Sequence, residues 1–334
     1  MNPWIRGLAV ACLLGATACT PVVSPASRGT LRKLRQNSVP RSPTEFRDGQ
    51  FRAFYRLQLQ PGTLLRLPMR PDHAIPTLPG SINEHPLPWI VDTGANFPLL
   101  LDARAAADSG LRIIRDTGIT GSGIGGKTSL LLARFDSLAL GHTPYLGHGI
   151  AGVLPQSYEF AFAGVPIHRM PLNLIGLPLL ERFSFLTLDG PGKEVRMGYQ
   201  TPFVPRRGAQ SFPFRISDGR LWIDLHIGNQ RLVAFLDTGC GSSLRLPEKV
   251  LRRLPPSAFT AQKRKKRRAM GVGGVEMEEF GQLREVRIQS IRWAPLEFDT
   301  SPDCTEALLG WEPFRPFCTT IDFRRRRIWV ESSR

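Results

Sequence analysis

The chain carries one ordered set of short motifs twice, and such a duplication restricts it to two related halves. "WIVDTGANFPLLL" begins at Trp89 and "AFLDTGCGSSLRL" at Ala234. Each reads as apolar residues, Asp-Thr-Gly, a few small or polar residues, then apolar residues again. A glycine-rich run follows each: "SGIGG" (Ser122 to Gly126) and "MGVGG" (Met270 to Gly274). Later come "NLIGLPLLERFSFLTLD" (Asn173 to Asp189) and "ALLGWEPFRPFCTTID" (Ala307 to Asp322). Gly123 lies 31 residues after Asp92, and Gly271 lies 34 after Asp237. The next interval is 53 residues to Gly176 but 39 to Gly310, which predicts a loop insertion around "GIAGVLPQSYEFAFAGVPIHRM" in the first half.

The repeat also disposes of a competing motif. Gly121, Gly126, Lys127 and Thr128 match the nucleotide-binding pattern G-x-x-x-x-G-K-[ST]. The second copy has Val275 and Glu276 where the first has Lys127 and Thr128. The halves share small-Gly-apolar-Gly-Gly, without the lysine and hydroxyl that a phosphate site needs. Both glycine runs therefore read as hairpins.

Short strands are expected to dominate. The 29 prolines and 32 glycines are dispersed, which favours many elements joined by turns. "LWIDLHI" (Leu221 to Ile227) alternates on one face, a strand pattern. "TTIDFRRRRIWV" (Thr319 to Val330) reads as a hairpin around a basic turn. One short helix is expected within Leu244 to Leu254. Lys and Arg number 44 against 28 Asp and Glu, a formal charge of +16, which attracts anionic partners. "KRKKRR" (Lys263 to Arg268) reads as a solvated loop, with docking of acidic substrate or anionic lipid as the functional alternative. No aromatic residues interleave with these charges, so nucleic acid is not an expected partner.

The N-terminus reads as a targeting segment over residues 1–18. Arg6 supplies the positive charge and "GLAVACLLGATA" (Gly7 to Ala18) an apolar stretch too short for a standard membrane span. "ATAC", ending at Cys19, resembles a bacterial lipobox, with Ala16 where Leu is usual. A lipid on Cys19 would tie an exported chain to the cell envelope, facing the periplasm; a plain secretory signal is the alternative. Residues 19–46, rich in Pro, Ser and Arg, are expected to be a flexible tether.

Asp-Thr-Gly after an apolar run, a glycine-rich hairpin and a later apolar-apolar-Gly resemble the aspartic proteases of the pepsin and retropepsin type. The resemblance covers roughly residues 50 to 334. It implies an all-β, bilobed fold with an N-terminal lobe over 47–204, a C-terminal lobe over 205–334 and the active site between them. It implies an aspartic endopeptidase, a monomer that needs no cofactor or metal and takes an extended peptide as a strand. Asp92 and Asp237 would share a proton and activate a water; paired aspartates of this class are the general illustration of such coupling. Thr93, Gly94, Thr238 and Gly239 would support the two loops. Gly123, Ile124, Gly125 and Gly126, with Gly271, Val272, Gly273 and Gly274, would form two flaps. A peptide- or envelope-binding module with little turnover is the alternative on the same fold. Cys240 stands where the family has Ala, Ser or Thr, and the first hairpin lacks a flap tyrosine of the pepsin kind.

After export Cys240, Cys304 and Cys318 remain in a compartment that permits disulfides. A Cys304–Cys318 bridge is available in principle; pairing of either with Cys240, or three free thiols, are the alternatives. No His/Cys spacing suggests a zinc site. The six histidines show no paired spacing, and Asp189 and Asp322 read as turn residues.

Overall fold

The computed structural model describes residues 19–40, 46–47, 50–51, 55, 57–70, 75–123, 126–162, 165–170 and 172–332. The expected signal segment, Ile124 and Gly125 lie outside these described residues. The fold is bilobed and mostly β. Each half builds a large sheet from nine corresponding strands. In the first, the order runs Arg112–Gly123, Gly126–Phe135, Gly149–Leu154, Leu99–Asp102, Leu174–Gly176, His85–Asp92, Thr77–Ile82, Leu138–Leu140, Thr143–Leu146. In the second it runs Lys265–Gly271, Gly274–Leu283, Leu296–Thr300, Leu244–Arg245, Ala307–Leu309, Gln230–Leu236, Arg220–Ile227, Val286–Ile288, Ile291–Trp293. Even the parallel pairs recur. Leu174–Gly176 runs parallel to the end of the Asp92 strand, and Ala307–Leu309 parallel to the end of the Asp237 strand.

Alternation along these strands sends one set of side chains into a shared core, which includes Trp89, Leu99, Phe135, Leu244 and Phe298. The strand Arg220–Ile227 alternates buried and half-buried residues along its whole length, as its sequence predicts. A six-stranded sheet joins the lobes: Gln210–Pro213, Arg327–Ser332, Phe317–Asp322, Phe185–Asp189, Glu194–Gly198, Leu64–Pro68. At its centre Thr187 pairs with Thr320, their hydroxyl oxygens 2.7 Å apart. Asp189 and Asp322 each accept a backbone N–H in the following turn, the role expected of them.

Three expectations need correction. Residues 19–40 are not a loose tether. Cys19–Pro25 is a strand paired antiparallel with Gln156–Phe162, and Arg28–Gln36 is a helix capped by Ser27. Leu34 of that helix is fully buried, and Lys33 reaches Asp108 at 3.1 Å. Two leucines three apart gave the helix an anchoring stripe too short to register as periodicity. The basic run is not a plain loop either. From Lys265 it forms the outer strand of the second glycine hairpin. There Lys266 pairs with Glu279, and Arg267 with Glu278 and Glu297. The insertion of the first half is a hairpin of its own, Gln156–Phe162 with Val165–Arg169. The helix expected near Leu244 is confined to Glu248–Leu251.

Candidate active site

Asp92 ends the strand His85–Asp92, and Asp237 directly follows Gln230–Leu236. Parallel pairing with the glycine strands stops each Asp strand at this point. Gly176 sits in register with Asp92, and the Asp237 amide donates to the Leu309 carbonyl at 2.9 Å. The chain then turns back, and Leu177 and Trp311 donate to the carbonyls of Ala95 and Cys240. Both aspartates are thereby held on tight loops that meet between the lobes.

The threonines lock those loops together. The Thr93 amide donates to Thr238 Oγ1 and the Thr238 amide to Thr93 Oγ1, each at 3.1 Å. The Thr93 hydroxyl donates to the Leu236 carbonyl at 2.8 Å, and the Thr238 hydroxyl to the Val91 carbonyl at 2.6 Å. Both threonines are buried, so none of these groups has water as a substitute. The glycines let the carboxyls approach. A Cβ on Gly94 would collide with the Asp237 carboxyl, and one on Gly239 with the Asp92 carboxyl.

Asp92 and Asp237 share a side-chain hydrogen bond while each keeps some exposure. Their surroundings differ. Asp92 Oδ1 accepts from the Gly94 amide at 2.8 Å and the Ala95 amide at 2.9 Å. Asp237 Oδ1 has no hydrogen-bond partner. Burial raises the Asp92 pKa, and the bonds from Asp237, Ala95 and Gly94 oppose that rise. Burial raises the Asp237 pKa well above its ordinary value, the charge of Asp92 adds to the rise, and the backbone amides of Gly239 and Cys240 oppose it. Burial raises both groups and each charge opposes the other, so the pair shares one proton that belongs to the dyad.

The glycine hairpins meet beside the Asp92 loop. Their tips touch: a Cβ on Gly273 would run into the backbone of Gly126. Gly123 pairs with Gly126 and Gly271 with Gly274. Met270 and Val272 pack on an apolar cluster of the first lobe that includes Ile90, Leu100 and Leu130, with Ala95 and Phe97 of the Asp92 loop. The Tyr158 hydroxyl lies 2.8 Å from the Val272 carbonyl oxygen. The sequence did not single out Tyr158; the insertion in the first half was its only trace. Lys127 is exposed and opens a strand, so no helix N-terminus follows the glycine run as a phosphate site requires.

The cysteines stay apart. Cys240, Cys304 and Cys318 are all free thiols, which corrects the expected bridge. Cys318 lies in the six-stranded sheet beside Arg196, whereas Cys304 sits in a turn with its sulfur 3.4 Å from the Glu306 carbonyl. Cys240 contacts Ser242 at 3.0 Å, and burial with the nearby Asp237 charge pushes its pKa up to about 12. A thiol so reluctant to ionise is a poor nucleophile. The Cys19 side chain is outside the description. No group of His, Cys, Asp or Glu among the described residues is arranged to hold a metal ion.

The aspartyl protease family model matches residues 78–177, which contain Asp92 and the first glycine hairpin. No curated protein sequence matches the chain significantly. Among solved structures, the chain matches a retropepsin-like aspartic protease from Rickettsia conorii. The identity is 18% and the TM-score 0.29, over 39% of this chain and 96% of that one. The family match falls on the first lobe, where the chain is similar to the aspartyl proteases, and the second lobe repeats its Asp-Thr-Gly loop, its hairpin and its closing glycine.

Proposed function

We propose that the chain is an aspartic endopeptidase that hydrolyses peptide bonds with a water activated between Asp92 and Asp237. The carrying observation is the apposed dyad: two coupled carboxyls, each set against the other lobe's glycine and held by reciprocal threonine hydrogen bonds. Asp92 takes a proton from the water, which attacks the scissile carbonyl carbon. Asp237 donates its proton to the carbonyl oxygen, giving a neutral tetrahedral diol. The amine then leaves with a proton, and the dyad returns to its singly protonated form. The paired flaps close over an extended peptide and exclude bulk water. The substrate is a peptide or protein segment in strand form. A lipid on Cys19 would tie the first lobe to the envelope, a reading supported by the pairing of Cys19–Pro25 with Gln156–Phe162.

The test is cleavage of a mixed peptide library by the purified chain, with and without a pepstatin-type inhibitor. Cleavage that the inhibitor stops supports the reading. A chain that leaves every peptide intact across acid to neutral pH overturns it.

A further inference from the structure

The two lobes correspond strand for strand, yet the walls they present to the cleft differ in chemistry. Leu100 and Arg245 each lie eight residues beyond the aspartate of their lobe. Leu100 pairs with Gly152 in a parallel ladder, and Arg245 pairs with Asp299 in the corresponding one. On the flap strands, Thr128 and Leu130 correspond to Glu276 and Glu278, counted from Gly126 and Gly274. These positions alternate with the core residues Leu99, Leu244 and Phe298, so they occupy the opposite face of each sheet. That face is the cleft side. In the first lobe Leu100 and Leu130 pack with Ala95 and Phe97 of the catalytic loop and with the second flap tip. In the second lobe Arg245 pairs across the sheet with Leu308, two residues before Gly310, whose amide donates to the Ser243 carbonyl of the Asp237 loop at 2.9 Å.

The first wall is thus aliphatic and the second ionic. Arg245 spends its whole guanidinium there: Nε donates to Asp299 at 2.6 Å, one terminal nitrogen to Glu276 at 2.6 Å, the other to Glu278. Arg267 bonds Glu278 and Glu297. Arg245, Glu278 and Asp299 are 6%, 4% and 1% exposed. Four carboxyl groups face two guanidinium groups, and at the buried centre Arg245 alone meets three of them, Glu276, Glu278 and Asp299, so acid is in excess there. A buried acidic excess favours a cation that can join its hydrogen bonds and penalises an apolar group that would displace them. Glu276 lies beyond the end of the ladder that ties its strand to Leu296–Thr300, so it moves with the flap when the cleft opens.

We infer that this wall selects a basic side chain, lysine or arginine, on one side of the scissile bond, while the aliphatic wall takes an apolar side chain on the other. The inference rests on the peptidase reading for where the peptide lies, and its test is separable from that reading.

The experiment compares peptides carrying arginine or norleucine at each position around a central apolar pair. The wild-type chain is expected to prefer arginine at least tenfold at one position on one side only. Arg245→Leu, Glu276→Thr, Glu278→Leu and Asp299→Gly together give the second wall the residues of the first. That variant is expected to lose the arginine preference and still cleave the all-apolar peptide. If it fails to fold, Glu276→Gln alone is expected to weaken the preference about threefold. No arginine preference in the wild type, or one unchanged in the variants, overturns the inference. If the wild type cleaves nothing, the peptidase reading fails, and calorimetric binding of the same two peptides decides the wall. Arginine peptide bound tenfold tighter supports it; equal, weaker or no binding of that peptide overturns it.

Discussion

Thr93 and Thr238 exchange hydrogen bonds across the two lobes, each hydroxyl oxygen accepting the other's backbone amide at 3.1 Å. Replacing the Thr238 hydroxyl with a methyl strands two buried groups of the Asp92 loop, the Thr93 N–H and the Val91 carbonyl. Thr238→Val is expected to lower stability by about 1–3 kcal/mol. Thr238→Ser should recover most of the loss. Chemical denaturation of the three proteins checks this, and a valine variant as stable as wild type would contradict the geometry.

Catalysis should need both aspartates. Asp92→Asn and Asp237→Asn are each expected to cut peptide turnover by at least about a hundredfold, the usual scale for a lost acid–base partner. Circular dichroism should show the fold intact in both.

The activity profile against pH should be displaced upward from ordinary carboxylates. Turnover requires one proton on the pair, so it falls as acid adds a second proton and as base removes the shared one. Both groups are raised by burial, Asp237 well above its ordinary value. The singly protonated window therefore extends from weak acid toward neutrality. A kcat/KM profile confined below the ordinary carboxylate range would rule out this environment.

The same burial predicts a stability effect of opposite sense. A carboxyl with a raised pKa keeps its proton when folded at pH values where the unfolded chain has lost it. Its contribution is complete below the unfolded pKa and is lost as pH rises through the folded one. Asp237→Asn removes that loss. The variant is expected to melt higher than wild type near neutral pH, with the gap closing toward pH 3. Melting curves across that range test the sign.

The thiols should behave as three separate groups, Cys240 and Cys318 buried and Cys304 half-buried. Burial leads the upward shifts of Cys304, to about 12, and Cys318, to about 11. Alkylation at pH 8 is expected to be slow in the native chain and complete for all three after denaturation without reductant. Recovery of any disulfide-linked peptide from non-reduced protein would refute the separation seen here.

How much the sequence discloses depends on how locally each feature is encoded. Asp92 and Asp237 stand in three-residue signatures whose spacing to the glycine hairpins is short, so one reading frame exposes them. Strands such as Arg220–Ile227 declare themselves because one face is buried along the whole element. The ionic wall is different. Arg245, Glu276, Glu278 and Asp299 are distant in sequence, and only the strand register makes them neighbours. Without register, each is one more charge in a basic chain. The docked N-terminal segment escapes for another reason: its strand gains its partners from Gln156–Phe162, far along the chain. Nothing within "CTPVVSP" specifies them.

The six-stranded sheet under the dyad has a kinetic consequence. Its two middle strands come from different halves and meet at Thr187 and Thr320, so prising the lobes apart means breaking a continuous ladder. The hairpin tips above are held by the Gly126–Gly273 contact and the Tyr158–Val272 hydrogen bond, with no ladder between the lobes there among the described residues. Entry and exit then become a matter of two fingers lifting from a fixed bed, and local viscosity or a crowding surface would slow them without touching the bond-breaking step. An anchored protein of this design would have its throughput set by what surrounds its fingers, and its chemistry by the bed that never moves.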